Sequence, residues 1–304
     1  MLMHGYSVIN KRMVFAYICL SLLPLPVIFA GTLSQSRVDS DVAVEILFTA
    51  NLNGSIENCN CGNPPLGGLD YMSTLIKERR ARSYPVFYID GGDYFNSYPY
   101  IELDQAALQI LMILQPDGFL PAEQEFQEDE KLIKCLFDST NILGSNFQYN
   151  DFAENGLLSK NLASDKKMIL TGYLSPESFS GRIAEKLLFS DKKFRQVYDK
   201  LQKENILVVV FHGTKPALDR FIALYPGTDL ILWAHEQSRD IELSAKPAIV
   251  GGGSDGEHLV IVNLSFGKKK ELRIQVEKVP VSRKIPSDPA VKKIIEDFNR
   301  KIKQ

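Results

Sequence analysis

The chain has 304 residues, 45% of them hydrophobic, and a formal net charge of −2. That length and apolar content suffice for a large core. Near-neutral charge, with no basic stripe and no zinc-finger spacing, argues against a nucleic-acid partner.

The first element in chain order is an apolar run. Lys11 and Arg12 precede the uncharged stretch VFAYICLSLLPLPVIFAG (14–31), which carries the small residue Ala30 near its end. A positive flank, an apolar centre and a small residue are the pattern of an export signal. The run is also long enough for an uncleaved membrane anchor, against which Pro24 and Pro26 weigh. Residues 1–30 are therefore read as signal or anchor, and membrane contact is expected only if they are not cleaved. Residues 31–42 are polar and read as a flexible lead-in. Export implies an oxidising compartment, and Cys59, Cys61 and Cys135 would remain, an odd number that leaves one thiol over after any single bridge.

Short apolar, β-branched runs predict strands at 43–49, 85–90, 141–146, 167–171, 206–211, 228–233, 247–250, 258–265 and 271–278. Helical periodicity falls between several of them, at 70–82, 104–115 and 194–204, and again at the end over 288–304. Strands that alternate with helices, followed by a run of strands, predict an α/β sandwich rather than an all-parallel sheet. No linker divides residues 41–286, so 43–286 read as one domain with a terminal helix over 287–304.

Polar, metal-capable residues sit just past the carboxyl ends of the apolar runs. Asn51 and Asn53 follow the first and Gly91-Gly92-Asp93 the second. Ala122-Glu123-Gln124-Glu125 follows DGFLP, His212 follows ILVVVF, and His235 and Gln237 follow LILW. In open α/β sheets ligands gather outside the carboxyl ends of strands.

The order of these blocks resembles the calcineurin-like metallophosphoesterases, most closely the catalytic domain of the periplasmic 5′-nucleotidase (UshA-like) branch. Family blocks of the type T-N-D-x-H-G, G-G-L, G-G-D, G-N-H-E-F-D, strand-His and G-H-x-[HQ] stand here as TANLNG (49–54), GGL (67–69), GGD (91–93), AEQEFQ (122–127), FHG (211–213) and AHEQ (234–237). The resemblance spans about residues 43–300 and implies a four-layer αββα sandwich with two divalent ions. The family's second domain, which selects the nucleotide, is absent from the match.

Carried over residue by residue, Asp93 matches the bridging ligand, and His212 and His235 match the histidines of one metal position. Glu123 stands where that position has asparagine, and Gln237 matches a glutamine used at the other metal. A two-histidine, two-carboxylate set suits zinc, manganese or iron. The other half departs from the family. Asn51 replaces an aspartate and Asn53 a histidine, so one ion is expected and a second is doubtful. Gln124 replaces the catalytic histidine and Gln127 the aspartate that orients it. Glutamine cannot shuttle a proton near neutral pH, though its amide can donate to a developing oxyanion.

Cys59 and Cys61, in a C-x-C-G loop similar to one found in some exported relatives, suggest either thiolate ligands or a dithiol/disulfide pair, with a structural bridge to Cys135 as the alternative. The expected function is a divergent exported member that binds a small anionic or sulfur-containing ligand. A working phosphoesterase and a non-catalytic binding protein are the alternatives.

Overall fold

A computed structural model describes residues 42–58, 62–98, 100–150, 156–162, 166–203, 205–268 and 271–303. The expected signal or anchor at 1–30, all of the lead-in except Val42, and Cys59 and Cys61 lie outside the described residues.

The chain opens with β1 (Val42–Thr49), α1 (Leu69–Arg80), β2 (Val86–Asp90), α2 (Ile101–Leu114) and β3 (Gly118–Phe119). Two short helices, α3 (Glu123–Gln127) and α4 (Glu130–Ser139), lead to β4 (Phe147–Tyr149), β5 (Leu157–Asn161) and β6 (Lys167–Leu174). Next come α5 (Gly181–Lys186), β7 (Leu187–Phe189), α6 (Asp191–Leu201), β8 (Asn205–Gly213), α7 (Lys215–Leu224) and β9 (Leu230–His235). The last elements are β10 (Ile241–Glu242), β11 (Ala248–Gly251), β12 (His258–Phe266), β13 (Leu272–Pro280) and α8 (Pro289–Lys301).

The strands form two large sheets, ordered β13-β12-β1-β2-β3 and β10-β11-β9-β8-β6-β5, and a small β4-β7 pair. The central neighbours β1-β2, β2-β3, β6-β8 and β8-β9 are parallel, and β12 pairs antiparallel with both β1 and β13. Side chains alternate across a strand, and the second sheet uses both faces. Tyr173, Val209, Phe211, Ile231 and Trp233 pack with Phe194 and Tyr198 of α6 and Phe221 of α7. Met168, Leu170, Val208, Val210 and Leu232 join the larger core, which also holds residues of the first sheet and of α1, α2 and α8. Both central strands are therefore continuous apolar runs, as sheets covered on two sides require. The expected αββα layering is the observed one.

One predicted strand is not there. Residues 141–146 pair with β3 only through an isolated bridge at Ile142, and the strand forms at 147–149 instead. The segment passes between the sheets. Leu143 N–H donates to Phe119 in the first, and Ser145 N–H donates to Gly172 in the second. A run that serves two sheets cannot extend one of them. The short helices α3, α4 and α5, together with α7, were not expected from periodicity. Cys135 lies exposed on α4, and the bridge to Cys59 or Cys61 that the sequence left open involves residues outside the described ones.

Candidate metal centre

The two sheets bring their carboxyl edges together. Parallel pairing sets His212 of β8 beside Ala234 and Gly213 beside His235 of β9. In the first sheet Thr49 pairs with Asp90, which aligns the Asn51 and Asp93 turns. Close approach at this edge depends on glycine. A Cβ on Gly91 would lie 2.8 Å from Ala234 Cβ, and one on Gly92 would lie 2.3 Å from the Leu120 carbonyl oxygen. Asn51, Asn53, Asp93 and His235 all adopt positive φ (54°, 54°, 52° and 79°). These residue types tolerate the left-handed region best, and such backbone clusters at functional sites.

Asp93, Glu123, His212 and His235 each direct one ligand-capable atom into the same space, all within 4.8 Å of one another. His212 Nε2 lies 2.7 Å from Glu123 Oε2 and 3.5 Å from Asp93 Oδ2. His235 Nδ1 lies 3.2 Å from Glu123 Oε1, 4.0 Å from Asp93 Oδ2 and 3.2 Å from His212 Nε2. Despite these distances, neither buried oxygen of Glu123 makes a hydrogen bond of good angle. Four N and O atoms converging on one point are what a tetrahedral N/O cation site requires. His212 Nδ1 faces the Gly91 carbonyl at 2.9 Å. That contact holds a proton on Nδ1, so the proton a cation would have to displace is the one on Nε2.

The electrostatics agree. Burial alone would lower the pKa of His212, but the Glu123 and Asp93 carboxylates hold it up at about 9. Burial would raise Glu123, yet the facing imidazoles keep it well below the usual carboxylate range. Burial pushes Asp93 up, with His212 opposing and Glu123 reinforcing. A cation bound among these side chains would have to displace the His212 proton. Below that pKa the proton competes, so apparent Mn²⁺ or Co²⁺ affinity is expected to rise about tenfold per pH unit up to about 9 and then level off. Competition with a chromophoric chelator across this range measures the slope.

The other half of the expected site is built differently. Asn51 is buried, with Oδ1 accepting the His235 N–H at 2.9 Å and Nδ2 donating to the carbonyls of Gly253 (2.8 Å) and Glu236 (3.3 Å). Asn53 Nδ2 donates to the Asn51 carbonyl at 2.8 Å and to Asp255 Oδ1 at 3.2 Å, and Asn53 Oδ1 accepts from Gln124 Nε2 at 2.9 Å. Because each donor meets a carbonyl or carboxylate, the orientation of these amides is set by their partners. Gln237 is exposed, two residues past His235, and Gln127 is exposed at the end of α3.

Three residues around the site were not singled out in the sequence. Asp90, fully buried, accepts from Thr49 Oγ1 at 2.6 Å and from the Gly92 N–H at 2.9 Å, and burial lifts its carboxyl to about 7. Asp255 anchors Asn53. Glu125 holds the Asp93 turn through its backbone. The E-x-E spacing at 123 and 125 was the available signal for Glu125, since one acid faces the site and the other the turn beneath it.

No protein-family model matches the chain, and no curated protein matches it in sequence. Solved structures do. The sulfate thiohydrolase SoxB of Thermus thermophilus, solved with glycerol, aligns with a TM-score of 0.72 at 16% identity, over 86% of this chain and 61% of that one. A 5′-nucleotidase precursor from Thermus thermophilus aligns with a TM-score of 0.67 at 15% identity, over 85% and 59%. A putative 5′-nucleotidase from Staphylococcus aureus, solved with alpha-ketoglutarate, aligns with a TM-score of 0.66 at 18% identity, over 84% and 58%. The chain thus spans about three fifths of the length of these proteins. It has the fold shared by these 5′-nucleotidases and SoxB, the metallophosphoesterase fold expected from the sequence.

Proposed function

We propose that the chain holds one divalent cation on Asp93, Glu123, His212 and His235, and uses it to bind a small anionic or sulfur-containing ligand with phosphoester hydrolysis reduced or lost. One observation carries this reading. Four donor atoms converge within 4.8 Å, while Asn51, Asn53 and Gln124 are engaged in amide hydrogen bonds. When bound, a zinc, manganese or iron ion supplies positive charge and polarises a ligand oxygen or sulfur.

The chain's own residues define the rest. His212, fixed by the Gly91 carbonyl, and Glu123, held low in pKa, present donors of opposite type. Gln124 spends its N–H on Asn53, and no imidazole stands at its position to pass a proton to a leaving group. Among the structural neighbours are proteins described as a sulfate thiohydrolase and as 5′-nucleotidases, which supports a small ligand bearing an oxyanion or sulfur. Those descriptions also favour the second reading, a working hydrolase that relies on a single cation.

The apolar run at 14–31 supports export or tethering, and among the described residues no helix is long and apolar enough to cross a membrane. The Cys59/Cys61 pair, six to eight residues past Asn53, is proposed as a redox couple or as additional soft ligands.

Elemental analysis of the purified domain, paired with aryl-phosphate hydrolysis in added Mn²⁺, tests the reading. One ion per chain with slow or no turnover is the expected result. Strong turnover that is lost in Asp93→Ala favours the hydrolase, and no ion favours a binding scaffold. Thiol titration before and after mild reduction tests the cysteine pair.

A further inference from the structure

Glu125 is fully buried at the centre of α3, on the same short helix that carries Glu123. Its Oε1 accepts the backbone N–H of Tyr94 at 2.8 Å and of Phe95 at 3.0 Å, and its Oε2 accepts those of Ala122 at 2.8 Å and Asp93 at 3.1 Å. These four donors come from two separate segments, the turn after β2 and the approach to α3. One carboxylate therefore ties the backbone of Asp93 to the helix that bears Glu123.

We propose that Glu125 is a positioning residue for the cation, setting the separation of the Asp93 and Glu123 carboxylates. The inference rests on the one-cation reading above. Three features require such a clamp. Asp93 sits at φ 52°, a conformation that relaxes unless its surroundings hold it. Helix α3 spans only Glu123–Gln127, too short to be rigid by itself. The turn is pressed against the approach to α3 at Gly92, where even a methyl group would collide with the Leu120 carbonyl oxygen. Two ligands on a strained turn and a short helix hold a common geometry when a shared acceptor fixes both backbones.

Glutamine at 125 would aim an NH₂ group at two N–H donors, so it breaks one side of the clamp while keeping the volume. Aspartate keeps the charge and both acceptor oxygens but is one methylene short.

The test uses Co²⁺, whose visible absorption reports ligand geometry, on the whole chain. Glu125→Gln is expected to weaken Co²⁺ affinity about 10–100-fold and to alter the absorption band, with Glu125→Asp intermediate in both. Phe194→Leu, in the separate core around α6, controls for stability and is expected to lower Tm while leaving affinity and band unchanged. Wild-type affinity and an unchanged band in Glu125→Gln overturn the inference. If that variant does not fold, Glu125→Asp decides: a weakened affinity with an altered band supports the inference, and wild-type values overturn it. A wild-type chain that takes up no Co²⁺ overturns the one-cation reading and this inference together.

Discussion

Replacing His212 with alanine is expected to abolish cation binding and to destabilise the chain by about 3–5 kcal/mol at neutral pH. His212 is fully buried and faces Glu123 at 2.7 Å and Asp93 at 3.5 Å. With a pKa of about 9 it is charged at pH 7 in the cation-free chain, where it is the positive partner of two shielded carboxylates. Alanine leaves those carboxylates facing one another with only His235 beside them, and burial makes the loss of one of two basic partners costly. Urea denaturation with and without Mn²⁺ measures both effects. In the wild type, cation at one hundred times its Kd adds about 2.7 kcal/mol, and in His212→Ala that increment is expected to vanish. A variant that still gains stability from Mn²⁺ would place the cation elsewhere.

The second large effect is expected at Asn51, where the family that the sequence resembles has aspartate. Substitution Asn51→Asp restores the family residue on paper, yet it is expected to cost about 3 kcal/mol at pH 7 rather than to rebuild a second metal position. The Asn51 amide donates to the Gly253 carbonyl at 2.8 Å and to the Glu236 carbonyl at 3.3 Å. A carboxylate there would set negative oxygen against carbonyl oxygen in a buried space. The sign with pH follows. The new acid has a higher pKa folded than unfolded, so its penalty is absent at low pH and grows as pH rises through the unfolded value near 3.9. Denaturation of both proteins at pH 4 and pH 7 is expected to show the stability gap only at the higher pH. A gap that is absent at both, together with uptake of a second ion, would show that the Asn51 amide hydrogen bonds are dispensable.

Much of this architecture was legible in the residues themselves. Apolar runs such as ILVVVF and LILW are strands because β-branched and aromatic side chains cover a sheet buried on both faces, and their ends mark where polar residues must emerge. That is why Asp93, His212, His235 and Glu123 could be picked out before any fold was known. The run at 141–146 misled because its composition suits a strand, while its hydrogen bonds are divided between two sheets. Glu125 went unassigned because a buried carboxylate that serves backbone N–H groups has the same letter as an exposed one.

What the sequence by itself determined is chemical: which donors exist, that one half of the candidate site holds imidazoles and acids, and that the other half holds amides. Only the tertiary structure decided what those amides do. The oxygens of Asn51 and Asn53 are taken by the His235 N–H and the Gln124 amide, while Gln124 Oε1 has no partner among the described residues, and which partner a side chain takes depends on groups far away in sequence, such as Gly253 and Asp255. The same holds for the candidate cation site, whose four side chains come from the edges of both sheets and meet because the sheets abut at Gly91 and Ala234. Side-chain identity is local, whereas the distance between lone pairs is set by packing across the whole domain.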